Sequence, residues 1–138
     1  MKEMTELKKD TLYKEIELEN SQVLVIHDLS RKISADAWVV IMDARMEIRI
    51  NKGLFVLEPV SEGKLADILD LLGDHIVYQY KVERNMIMDP DRETVFTNLV
   101  DTFLKNTGQY VCKPQFPEKL VIKEYNERIE KRKKYGKV

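Results

Sequence analysis

The 138 residues carry 23 basic and 24 acidic side chains, and the net charge of −1 excludes wholesale attraction to nucleic acid or an anionic membrane while allowing a local basic patch. A hydrophobic fraction of 43% beside 34% charged residues is that of an ordinary globular chain, and the length suits one domain whose core needs no staples. Cys112 is the only cysteine, which rules out an intrachain disulfide and fits a reducing compartment; no apolar run approaches a membrane span and "MKEMTELKKD" lacks the apolar centre of a signal peptide, so a cytoplasmic protein with no membrane contact is expected.

Residues 1–10 are polar and unpatterned and are expected to form a frayed leader. From Leu12 the chain reads as a strand, with Leu12, Ile16 and Leu18 on one face and Tyr13, Glu15 and Glu17 on the other. The turn composition of "ENSQ" at 19–22 then predicts a hairpin to a more buried strand, "VLVIH" at 23–27. "DLSRKISADA" breaks the period, and Asp28 can accept from an amide two residues on and hold an Asx turn.

The most regular stretch follows. In "WVVIMDARMEIRI", 38–50, the even positions are apolar, whereas Asp43, Arg45, Glu47 and Arg49 stand on odd ones. Side chains alternate across a strand, so the four charges share one side. Their signs nearly cancel, which leaves little field for a polyanion, and they read as the solvated face of a one-sided sheet. "NKG" at 51–53 predicts a tight turn with Gly53 left-handed, followed by a return strand over residues 54–58 that Pro59 stops.

Leu65, Ile68, Leu69 and Leu72 then fall at helical spacing, with Ser61 as N-cap and Gly73 just past the end. Residues 76–84 return to alternation, but the pattern leaves open whether this strand runs parallel or antiparallel to its neighbour. "DPDRETVFTNLVDTFLKNTG" predicts a second helix with Asp89 as cap, Pro90 in the first turn and Gly108 as terminator. "QYVC" suggests a short strand, and Pro117 opens a last helix anchored by Leu120, Val121, Ile122, Tyr125 and Ile129. The expected architecture is a single α+β domain over residues 1–138, a mainly antiparallel sheet of about five strands packed on one face by two or three helices.

No constellation for catalysis emerges. "HDLSR" gathers His27, Asp28, Ser30 and Arg31, but His27 and Asp28 as strand neighbours point to opposite faces and cannot orient one another. His27, His75 and Cys112 show no paired ligand spacing, so no metal is expected. The five glycines never approach a phosphate-cradling pattern, and the helices begin with acidic residues that repel an anion, so no nucleotide or other cofactor is expected.

Three functional readings compete. Met86, Ile87, Met88, Tyr110 and Phe116 come where regular patterning lapses, and they favour a non-enzymatic interaction module that binds a protein partner or its own copy as a homodimer. Arg128, Lys131, Arg132, Lys133, Lys134 and Lys137 form the strongest charge run; six phosphate contacts would give a salt slope of about −5, which suits a nucleic-acid binder, although basic residues also belong at a helix C-terminus. A small-molecule enzyme or binder would need a pocket between sheet and helices drawing on His27, Asp28, Arg31, Tyr78 or Tyr80.

Overall fold

The computed structural model describes residues 11–135, so the expected frayed leader at 1–10 and the basic Lys137 lie outside the described residues. The elements run β1 (Leu12–Glu17), β2 (Val23–Asp28), β3 (Arg31–Lys32), β4 (Ala37–Arg49), α1 (Glu62–Leu72), β5 (His75–Met88), α2 (Arg92–Lys105), α3 (Thr107–Val111) and α4 (Phe116–Tyr135). The sheet is antiparallel, with β4 at its centre between β2 and β3 on one side and β5 on the other, and with β1 outside β2. The strand at 75–88 therefore runs antiparallel to β4. Among the described residues no helix is long and apolar enough to cross a membrane.

β2 and β3 keep one register along β4, from Leu24 opposite Met46 to Lys32 opposite Trp38, and form a single strand interrupted at residues 29–30. "HDLSR" makes that interruption. The Ser30 amide donates to Asp28 Oδ1 at 3.0 Å, which is the Asx turn the sequence predicts. The Ile41 amide, meanwhile, donates to Ser30 Oγ at 2.9 Å, so a side-chain hydroxyl stands in for a ladder carbonyl.

The even-numbered side chains of β4 and their neighbours Leu24 and Ile26 form the core with Phe55 and Ile68, with Phe96, Val100 and Phe103 of α2, with Val111, and with Val121 and Tyr125 of α4. α1 is bounded as its sequence predicts: Ser61 Oγ accepts from the Lys64 amide at 3.1 Å, and Gly73 closes the helix at φ 85°, a conformation that costs glycine least.

Several local expectations are overturned. Residues 54–58 form no strand; Lys52–Leu54 is a short 3-10 turn and the chain then runs as a loop. Its amides are satisfied from far away. The buried Glu118 carboxylate accepts from Val56 (3.1 Å), Leu57 (3.0 Å) and Glu58 (2.8 Å), pinning the loop to the first turn of α4. "QYVC" is no strand: Gln109, Tyr110 and Val111 close α3, which follows α2 after one break at Asn106, and Cys112 is its C-cap. Gly108 does not terminate a helix but lies buried within α3, where an added Cβ would come within 3.3 Å of the Phe103 carbonyl oxygen. Asp89 does not cap α2; its carboxylate instead accepts from Trp38 Nε1 at 2.6 Å. In β1 a bulge between Leu12 and Lys14 changes the faces: Leu12 pairs with His27, and Tyr13 turns inward to meet Phe96 edge-on at 4.9 Å between ring centroids.

Candidate functional site

The four charges of β4 divide. Glu47 and Arg49 are exposed, with Arg49 pairing with Glu47 and Asp74. Asp43 is fully buried at 0% exposure, which corrects the expectation that all four stand in water. Its cross-strand neighbours are His27 and Lys81, and its two oxygens are met by Gln79 Nε2 (3.0 and 3.3 Å) and by Arg45 Nε and Nη2 (both 3.2 Å). A buried carboxylate survives only with such partners. His27, buried beside it, has Nδ1 2.7 Å from Thr11 Oγ1. Desolvation holds the His27 pKa below its usual 6.5, and the Asp43 carboxylate only partly offsets that.

The residues proposed for a small-molecule pocket do not converge. His27 shares the helix-free face with Asp43, whereas Asp28 pairs with Met42 and turns toward the helices, where Arg92 reaches it at 3.4 Å while stacking 4.3 Å from the Trp38 ring. Arg31 is exposed on β3 opposite Val39. Tyr78 and Tyr80 project from the far strand, β5, onto Phe116 (5.5 Å, edge-on) and Phe103 (5.0 Å, stacked). Among the described residues no group of three or more His, Cys, Asp and Glu could hold a metal ion.

The basic run divides too. Arg128 is committed: its Nη1 donates to the Leu71 carbonyl at 2.8 Å and satisfies the end of α1. Lys131, Arg132, Lys133 and Lys134 are exposed on the last turns of α4, where they complement the helix dipole.

Clefts of about 440 Å³ beside His27, Arg45 and Val77 and of about 490 Å³ beside Asn51, Pro114 and Pro117 indent the surface, and two further surfaces offer a partner room. A groove of about 620 Å³ lies between the 57–58 loop and α4, floored by Leu57 and Ile122 and rimmed by charges of both signs. The other surface is the outer edge of β5. This 14-residue strand pairs with β4 alone, so its second row of backbone amides and carbonyls has no strand beside it among the described residues. Alternation places Ile76, Tyr78, Tyr80 and Val82 on the helix side opposite Ile48, Met46, Ala44 and Met42.

Past Arg84 the pattern changes, because two residues, Asn85 and Met86, oppose Val39 in a bulge with Met86 at φ 55°. Beside the strand, Tyr78, Tyr110, Phe116 and Leu120 with Lys119 and Lys123 enclose a cleft of about 380 Å³, and Tyr110 meets Phe116 edge-on at 5.4 Å. Burial raises the Tyr78 pKa above 10.0, with the Tyr80 and Tyr110 phenols adding to it, so that hydroxyl stays neutral.

Of the apolar residues singled out at irregular positions, Phe116 is buried and Ile87 packs against the core, whereas Met86 (66%), Met88 (43%) and Tyr110 (64%) are exposed. The sequence did not single out β5 as an edge, since strand order is invisible to alternation; the missing clue was which neighbour the strand lacks. No protein-family model, no curated protein and no solved structure matches this chain.

Proposed function

We propose that this protein is a non-enzymatic interaction module that takes a partner strand along the free edge of β5. One observation carries the reading: among the described residues the 14-residue β5 pairs on one side only, with β4, and lies beside a cleft lined by Tyr78, Tyr110 and Phe116. Strand addition draws affinity from main-chain hydrogen bonds and selectivity from pockets for side chains, and β5 offers an unpaired row of backbone groups with one cleft beside it. The opposite edge of the sheet offers less: β1 is six residues long against the 14 of β5.

Sedimentation velocity across a concentration series, paired with amide hydrogen exchange, tests this reading. The expected result is association that rises with concentration while alternate amides within residues 75–84 slow their exchange. A chain that stays monomeric, with β5 amide exchange unchanged by concentration, overturns it.

A second reading rests on the exposed Lys131, Arg132, Lys133 and Lys134 as a non-specific nucleic-acid contact. Binding of random RNA that weakens steeply with salt and vanishes on truncation after Ile129 would favour it over strand addition.

A further inference from the structure

We infer that the strand received by β5 is β5 of a second copy, paired antiparallel about a two-fold axis at Gln79. This deepens the proposed function and rests on it. A two-fold axis perpendicular to a sheet makes an antiparallel pair in which residues equally spaced from the axis face one another, and both helix layers lie on the same side. The register is then decided by which side chains meet.

With the axis at Gln79, residues 74–84 of the two copies overlap fully, ending before the bulge at Asn85–Met86. Asp74 faces Arg84 and His75 faces Glu83, each twice by symmetry, and no like charges meet. On the helix side Ile76 faces Val82 and Tyr78 faces Tyr80, so the rings stacked on Phe103 in one copy continue into those packed on Phe116 in the other. Tyr110, 64% exposed at the rim of the cleft, then lies at the junction of the two helix layers.

Neighbouring registers are poorer. An axis at Lys81 or Glu83 sets that charge against itself, and one at Tyr78 sets His75 against Lys81. Centring on Tyr80 leaves Glu83 and Arg84 opposite Val77 and Ile76. Centring on Val82 matches Lys81 with Glu83 but runs into the bulge two residues later.

Val77 reads the register. It is half-buried on the helix-free face of β5, and in the Gln79-centred pair it faces Lys81 of the other copy, whereas in the Tyr80-centred pair it faces Glu83. V77K is therefore expected to raise the dimer Kd roughly 3- to 10-fold and V77E to lower it by a similar factor, with both shifts shrinking in high salt. Within the chain both variants lie opposite Glu47, so thermal unfolding at dilutions that hold only monomer confirms that each one folds.

R84E, on an exposed side chain, is the second arm and should also weaken the dimer by setting a second carboxylate against Asp74. Opposite shifts for V77K and V77E together with a weaker R84E dimer support the inference. If the wild-type chain dimerises with slowed β5 exchange but V77K and V77E move Kd together, or in the reverse sense, the Gln79 register is wrong while the strand-edge reading stands. A concentration-independent monomer with unchanged β5 exchange overturns both.

Discussion

The helix side of β4 and its opposite side are built by one alternation, yet they are held in different ways. On the helix side, Val40, Met42, Ala44, Met46 and Ile48 are buried among aliphatic and aromatic side chains from α1, α2 and α4. On the other side burial stops midway: Val39, Ile41 and Asp43 are buried, Arg45 is half-buried, and Glu47 and Arg49 are exposed. One face is stable because apolar area leaves water, whereas the inner part of the other holds a carboxylate that depends on specific donors. A face without helices can therefore be dry where cross-strand partners converge and wet two residues further on.

The contrast can be broken most forcefully on the helix side. Ile48→Ala leaves a cavity in a fully buried position and is expected to cost about 3–4 kcal/mol in a urea unfolding series. Asp43→Ala is expected to cost less, about 2–3 kcal/mol, because Gln79 and Arg45 lose their acceptor but the partly exposed guanidinium can turn to water. If Asp43→Ala proved neutral, the inner part of that face would be held by apolar burial like the other.

Acid sharpens the comparison. The folded state holds the His27 pKa below 6.5, so the unfolded chain binds more protons once pH drops under that value. The contribution of His27 is thus fully present above about 6.5 and is lost as pH falls toward the depressed folded value. Denaturant midpoints measured from neutral to mildly acidic pH should fall more steeply for the wild-type chain than for His27→Gln; parallel slopes would remove His27 from the account. The smallest effect belongs to the wet end: Arg49→Ala, 64% exposed with partners that are themselves exposed, should change stability by no more than about 0.5 kcal/mol.

How much was legible depends on how far apart the interacting groups lie. The Asx turn at Asp28, the Ser61 cap and the Gly73 terminus each involve groups two to four residues apart, so composition and order suffice to place them. Residues 54–58 look like a strand because they are mostly apolar, but the amides of Val56, Leu57 and Glu58 found Glu118, about 60 residues further on. "QYVC" has strand-forming residues, yet its first three close a helix where Gly108 lets the chain pass close to the Phe103 carbonyl. The candidate pocket failed for a related reason. His27, Asp28, Arg31, Tyr78 and Tyr80 share a suitable chemistry, but alternation and strand order send them to both faces and to separate strands of the sheet.

By itself, the order of residues determined the α+β class, the strand over residues 38–50 and its apolar face, because a two-residue period is a local property of a pleated chain. Only the tertiary structure decided that Asp43 is buried, that Arg128 caps α1 and that β5 is an edge strand among the described residues. Each of those outcomes depends on which distant backbone or side chain arrives alongside, and a one-dimensional pattern holds no record of that arrival.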